Sequence, residues 1–396
     1  MTAAITVRID AFAAGGYGVG RDDDGRAVFV AGTAPGDVVT ASVFEAHARW
    51  ARAELVELTR AGPGRVEPRC PLFADRRCGG CQWQHVDDDT QRAAKQHLLA
   101  GALRKLVAGG LELRPLLTPV PPWGWRRRAR FTALGAALGF HAPRGHAVCD
   151  VTACPQLEPE LELVIGALRA AGVVRGDGEI HAVVGDGGAH VVIDAPCDEA
   201  AAAGLVGQGG ISGVTWRGGA AGADAVALEP GLIASGDDFA QASRAGNEAL
   251  RAVVAQALAA GRGERVLELY AGGGNFTRDL VAAGAQVVTS DERTPAVPPP
   301  GFVPGGAIEV VRALARTGTR FDAVLLDPPR AGARGVVEQL AALQPSRVVY
   351  VSCEPATFAR DAEQLGAAGL RPRWAQGLDL MPQTAHVELV ARFERE

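Results

Sequence analysis

Residues 264–276 read Glu-Arg-Val-Leu-Glu-Leu-Tyr-Ala-Gly-Gly-Gly-Asn-Phe, an apolar run broken by three consecutive glycines and followed at once by the helical stretch Thr277 to Ala283. A strand that turns into a helix through glycines leaves backbone N–H groups bare at a helix start, where a ligand can approach them closely. The next apolar run, Gln286-Val-Val-Thr-Ser290, ends in Asp291 about twenty residues beyond the loop, where a carboxylate can hydrogen-bond ribose hydroxyls. From Asn247 onward the order is helix, strand, glycine loop, helix, strand, which is the grammar of a doubly wound parallel sheet. Such sheets bind ligands outside the carboxyl ends of their strands, so Gly272, Gly274 and Asp291 are candidate nucleoside contacts. Thr277 occupies the place of the third small residue of the dinucleotide fingerprint, so S-adenosylmethionine suits the loop better than a nicotinamide cofactor.

Further strand ends reach the same edge. Phe321-Asp-Ala-Val-Leu-Leu-Asp-Pro-Pro-Arg330 is an apolar run stopped by Asp327 and two prolines, which end regular pairing. Arg347-Val-Val-Tyr-Val-Ser-Cys353 carries a thiol to the end of another strand, and Glu354 to Asp361 leads into a helix. A lone strand-end cysteine is ordinarily a small packing residue. At a ligand-binding edge it is a candidate nucleophile.

The chain has 396 residues, more than one hydrophobic core normally organises, so several domains are expected. Strand-like runs at 4–9, 27–30, 37–43 and 51–58, separated by Gly, Pro and Asp turns, suggest a small OB-like barrel. Within it Gly15-Gly-Tyr-Gly-Val-Gly20 reads as a flexible turn holding an aromatic ring. A helix is expected over 90–107, and residues to about 230 alternate short strands with Ala/Gly-rich segments and read as scaffold. The start of the chain lacks the pattern of a secretory signal and no run has the length of a membrane span, so the expectation is a cytoplasmic monomer away from membranes.

Seven cysteines in such a chain point to metal or catalytic chemistry rather than disulfides. Cys70, Cys78 and Cys81 cluster, and Cys154 opens Cys-Pro-Gln-Leu; four thiolates suit either an iron–sulfur cluster or zinc, and spacing alone leaves the two comparable. Cys149 is the alternative fourth ligand, and Cys197 reads as packing. The spacing does not match the tight three-cysteine run of radical S-adenosylmethionine enzymes. The formal charge of −5 excludes a uniformly basic surface but not a local basic patch. Trp123-Gly-Trp-Arg-Arg-Arg-Ala-Arg130 alternates cationic forks with aromatic planes, so Arg126, Arg127, Arg128 and Arg130 are candidate RNA contacts.

Asp327-Pro-Pro-Arg-Ala-Gly, Val351-Ser-Cys-Glu-Pro-Ala-Thr-Phe-Ala-Arg-Asp361 and Met381-Pro-Gln-Thr-Ala-His-Val-Glu388 together closely resemble the RNA 5-methyluridine methyltransferases. The resemblance runs from the barrel, similar to that family's TRAM domain, through the cysteines to the C-terminal region, and is thin between about 155 and 230. It implies an α/β protein with a TRAM-like barrel over 1–62 and a central α+β domain with a cysteine cluster over 63–234, whose helix 90–107 can pack on the catalytic domain. A Rossmann-like methyltransferase domain follows over 235–396. It implies methylation of carbon 5 of a uridine in ribosomal or transfer RNA, with Cys353 as nucleophile, Glu388 as base and Asp327 orienting substrate or cofactor. S-adenosylmethionine would touch Gln241, Tyr270, Asn275 and Asp291 besides the glycines. Cys70, Cys78, Cys81 and Cys154 look like the family's [4Fe–4S] ligands, with zinc the alternative, though the first interval is longer than usual. An RNA-binding iron–sulfur protein that has lost catalysis, or a methyltransferase for another pyrimidine, are the competing readings. The first draws on a departure: Asp291 is followed by a proline-dense segment where the family has a helix and another strand, so that unit is expected to be cut short and part of the adenine pocket missing or rebuilt.

Overall fold

The computed structural model describes residues 4–135, 137–295 and 297–395. Strands Ala4–Phe12, Gly18–Arg21, Ala27–Val30, Val38–Ala46 and Trp50–Arg60 close into a barrel. Its interior is Val7, Ile9, Val28, Val30, Val39, Ala41 and Ala53, the inward half of each alternating run. The Gly15–Gly20 segment, expected as a turn, does turn through Ala14–Gly16 and then supplies the strand Gly18–Arg21. A Cβ on Gly18 would lie 2.1 Å from Thr33 Oγ1 and one on Gly20 1.9 Å from the Arg8 carbonyl, so the glycines let crossing strands close the barrel. Buried Asp37 locks the closure, accepting from the Ala34 and Gly62 N–H groups at 2.7 Å and from Arg65 Nη2 at 2.7 Å.

A seven-stranded, mostly antiparallel sheet forms the middle region, in the order 219–222, 211–216, 188–194, 178–185, 128–134, 137–141, 148–150. Helix Pro159–Ala171 covers it through Leu161, Val164, Ile165 and Leu168.

The third layer is an eight-stranded sheet in the order Phe302–Pro304, Gln286–Asp291, Arg265–Leu269, Ala323–Leu326, Arg347–Ser352, Glu388–Arg395, Leu370–Leu378 and Glu112–Leu117. Its central strands are buried on both faces, hence their unbroken apolar runs. The helix Arg244–Leu258, capped by Ser243, packs on one side, and the helix Pro355–Ala367 packs against strand Leu370–Leu378. The last strand of this sheet comes from far upstream: Glu112–Leu117 pairs in parallel with Leu370–Leu378. The helical stretch before it is two helices, Asp88–Ala102 and Arg104–Ala108; the first is capped by Asp87 and contacts the helix Pro355–Ala367. Leu99, Leu103 and Leu111 enter the core beneath the sheet.

The segment after Asp291 departs from the sequence expectation in part. Among the described residues no helix lies between Asp291 and Phe302, as the prolines dictate, but the strand survives as Phe302–Pro304, paired with Gln286–Asp291. The proline run folds back on the glycine loop, since a Cβ on Gly274 would lie 2.7 Å from the Pro299 Cβ.

Candidate active site

Register brings the predicted residues together at the carboxyl edge. Leu326 pairs with Tyr350 and with Leu269, so Asp327 is level with Val351 and Tyr270. Ser352 pairs with Leu389, so the next step along that register sets Cys353 against Glu388. The thiol is half-buried and Glu388 buried. Burial, and then the Glu388 and Asp327 carboxylates, push the Cys353 thiol up, while the Arg330 guanidinium pulls it down. Burial and then Asp327 push Glu388 well above the usual carboxylate range, and burial raises Asp327 to about 7. Arg330 Nη2 stands 3.3 Å from His386 Nε2. That imidazole is held neutral, its pKa pushed down to about 4 by burial and by the charges of Arg330 and Lys95.

These shifts fix a pH dependence. A raised thiol is mostly protonated at neutral pH and gains thiolate as pH rises. Arg330 opposes that rise and also lowers Glu388. Arg330→Met therefore moves the rising limb of the single-turnover pH–rate profile to higher pH; an unmoved limb would show that the guanidinium does not act on the thiol.

The cofactor edge is adjacent. Tyr270 ends its strand with φ 63°, a left-handed conformation costly for an aromatic residue and typical of functional turns. Gly272 and Gly274 also have positive φ, and the space where a Gly272 Cβ would stand is open, so a ligand can reach this backbone. Asp291 Oδ2 accepts the Gly272 N–H at 2.9 Å and Oδ1 the Arg293 N–H at 3.0 Å, so the carboxylate props the loop. Asn275 exchanges paired amide bonds of 2.8 Å with Asn247, which also donates to Glu229 at 2.9 Å. Gln241 is half-buried, and its segment borders the stretch after Asp291: Arg293 Nη2 donates to Asp237 at 2.6 Å. The donor set and open loop fit a nucleoside carrying a charged amino-acid tail. Loss of the Asp291 hydrogen bonds, each about 1.5–3 kcal/mol for a charged acceptor, weakens S-adenosylmethionine binding by Asp291→Ala roughly ten- to a hundredfold; calorimetry showing unchanged affinity would refute the prop.

Sequence reasoning missed several residues here. Glu268, inside an apolar strand, has its pKa raised to about 8 by burial; Thr277 donates to Oε2 at 2.6 Å, and Oε1 finds no partner among the described residues. An acid inside an otherwise apolar run was the available signal. Glu229 gathers Arg127, Arg251 and Arg278 around one carboxylate.

The arginine run divides. Arg127 is fully buried, donating to Glu229 Oε1 at 2.9 Å and to the Leu228 and Gln241 carbonyls. It is corrected from a candidate RNA contact to an internal strut, because a guanidinium without solvent access meets no phosphate. Arg126 lies over Phe140 and beside Cys154, Cys81 and Cys78; Arg128 lies over exposed Phe239; Arg130 is exposed, 3.6 Å from Glu179.

Cys70 is buried and Cys78, Cys81 and Cys154 half-buried. Burial, then the neighbouring thiols, raise Cys78 to about 11 and Cys81 to about 12. Cys149 adjoins Cys78, and Cys197 is isolated at a bridge to Val174. Among the described residues no three Cys, His, Asp or Glu side chains close on a single ion. Between barrel and cysteine segment runs a cleft of about 440 Å³, lined by Tyr17, Phe73, His85, Arg65, Arg76 and Arg144 among others. No described helix is long and apolar enough to cross a membrane.

Residues 3–56 match the TRAM domain family and residues 310–395 the tRNA (Uracil-5-)-methyltransferase family. The chain is 33% identical to the 23S rRNA (uracil(1939)-C(5))-methyltransferase RlmD of Pectobacterium carotovorum, over 98% of this chain and 93% of that protein. It is 35% identical to the enzyme of the same name from Cronobacter sakazakii, over 99% and 96%. Its fold matches the crystal structure of Pyrococcus abyssi tRNA (uracil-54, C5)-methyltransferase in complex with S-adenosyl-L-homocysteine, with a TM-score of 0.73 at 21% identity, covering 98% of this chain and all of that one. Full-length likeness, the two family matches and a thiol facing a buried carboxylate beside a nucleoside loop agree: the chain belongs to the RNA (uracil-5-)-methyltransferase family.

Proposed function

We propose that the protein methylates carbon 5 of a uridine in large-subunit ribosomal RNA, the substrate class named for its full-length relatives. The observation that carries the chemistry is the pairing that sets Cys353 against Glu388, one strand away from Asp327.

Carbon 5 of uracil is too weak a nucleophile to take a methyl group unaided. The Cys353 thiolate adds to carbon 6, the electron pair of the ring double bond moves toward carbon 5, and the ring becomes enolate-like. S-adenosylmethionine supplies the electrophilic methyl group. Glu388 then takes the proton from carbon 5; the pair left behind re-forms the carbon 5–carbon 6 double bond, the carbon–sulfur bond breaks, and the thiolate leaves. Arg330 steadies the thiolate before addition and after release. Asp327, level with Tyr270 and one strand from Cys353, orients the uracil against the methyl donor. Gln241, Tyr270, Gly272, Gly274, Asn275 and Asp291 hold that donor.

Cys70, Cys78, Cys81 and Cys154 fit a [4Fe–4S] cluster. What supports the cluster over zinc is the likeness of the Cys-Gly-Gly-Cys and Cys-Pro-Gln-Leu motifs to the family's cluster ligands. The cluster would act as structural support beside the RNA path. That path uses the cleft beneath the barrel, Arg130 and the outward faces of Arg126 and Arg128, with the target base unstacked so that the thiol can reach it.

Nucleoside mass spectrometry of separated ribosomal and transfer RNA, from cells with and without the gene, tests the assignment. Loss of 5-methyluridine from large-subunit RNA is expected; an unchanged level there would overturn it.

A further inference from the structure

Glu388 follows a loop whose ends, Leu380 and Val387, pack in the catalytic core and whose middle is held from far upstream in the chain. Leu378 pairs with Glu388 across two adjacent strands, and residues 379–387 form the connection between them. Into that connection reach two side chains from the helix Asp88–Ala102, almost three hundred residues earlier. Lys95, one of only two lysines in the chain, is fully buried; its Nζ donates to Asp379 Oδ1 at 2.5 Å and to the Met381 carbonyl at 3.0 Å. Gln91, also buried, donates to Gln383 Oε1 at 3.0 Å and accepts the Gln383 backbone N–H at 3.0 Å. Gln383 holds φ 65° and its carbonyl accepts the N–H groups of Gln82 and Trp83, both at 3.0 Å. The Trp83 indole in turn donates to Gly16 of the barrel at 3.0 Å.

A buried lysine paired with aspartate is a poor way to gain stability, because desolvating both charges offsets most of their attraction and apolar residues would serve as well or better. What such a pair does provide is a fixed geometry. Lys95 fixes the loop at Asp379 and Met381 and Gln91 at Gln383, ahead of His386, against which Arg330 rests, and of Glu388 at the start of the next strand.

We propose that Lys95 and Gln91 are positioning residues for the elimination half of the reaction, holding the 379–387 loop so that Glu388 reaches the proton on carbon 5 and Arg330 stays beside Cys353. The proposal rests on the reading of Cys353 as nucleophile and Glu388 as base. It adds that the base is aimed from almost three hundred residues upstream, through a helix whose neighbour Trp83 is tied to the barrel.

The test uses the full-length protein, a uridine-containing RNA substrate and S-adenosylmethionine in single turnover, following both methylated product and the covalent RNA–protein adduct on denaturing gels. Because Lys95→Met alone strands a buried carboxylate, the variants are the neutral pair Lys95→Met with Asp379→Asn, and separately Gln91→Met, with Lys95→Arg as the conservative rescue. Both variants should bind RNA and S-adenosylmethionine within about threefold of the parent. They should form product about ten- to a hundredfold more slowly and accumulate adduct, as Glu388→Gln does. Lys95→Arg should recover part of the rate. Slower product without adduct, or affinity lost in step with rate, overturns the positioning role and leaves Glu388 as base untouched. If Glu388→Gln itself gathers no adduct, the reading beneath the proposal fails and the proposal with it.

Discussion

Cys353→Ala loses methylation by on the order of 10⁴-fold or more, because without the sulfur nothing raises the electron density at carbon 5. Binding is expected to survive. The side chain is half-buried at a strand end rather than packed in the core, so its removal costs stability about 1 kcal/mol or less. The cofactor edge is built by the loop after strand Arg265–Leu269 and by Asp291, both untouched. RNA affinity by filter binding and cofactor affinity by calorimetry should therefore match the parent. Retained methylation would remove the nucleophile from the mechanism; lost RNA binding would make the cysteine a recognition residue instead.

Glu388→Gln stops the reaction later. Addition of the thiol and methyl transfer do not need the carboxylate, but the proton on carbon 5 then has no acceptor and the carbon–sulfur bond cannot break. The variant should slow release by about 10²–10⁴-fold, the usual worth of a positioned base, and collect as a covalent RNA–protein species that resists denaturant. Burial holds the carboxyl well above its usual range, so an amide of the same shape removes an ionisation the site resists and should leave the melting temperature at or above the parent's. Free product with no retained species would assign the proton to another acceptor.

That Asp327, Cys353 and the glycine loop meet at one edge was legible in the sequence because the signals are local. Gly272 and Gly274 follow a buried strand, Asp327 precedes two prolines, and Cys353 closes an unbroken apolar run. In a parallel sheet each of those strand ends must arrive at one edge, so three separate motifs imply one site. The barrel was legible from alternation except at Gly18–Arg21, where glycines serve close strand crossing rather than a turn. What was hidden depends on pairing between distant segments. Nothing near residues 112–117 announces that they extend the catalytic sheet beside Leu370–Leu378, and nothing near Lys95 announces Asp379. Arg127 reads like its neighbours in sequence, yet strand alternation turns it inward to Glu229 while Arg130 faces out. Asn275 reads as a cofactor contact, and its partner Asn247 is recognisable only once the helix Arg244–Leu258 is in place.

That distribution has a physical reading. The strand edge provides reactive groups at fixed spacing, and the upstream helix, the cysteine segment and the barrel hold the loop that completes the site. On the proposed mechanism, RNA held by the outer parts would meet a thiol and a base whose loop is tied to those same parts.

The central claim is a bond between one sulfur atom and carbon 6 of a pyrimidine. Nuclease and protease digestion of the Glu388→Gln adduct, followed by tandem mass spectrometry, should yield the peptide containing Ser352-Cys353-Glu354 carrying one methylated uridine nucleotide on the cysteine. A nucleotide attached to any other residue, or an adduct that never forms, would contradict the account.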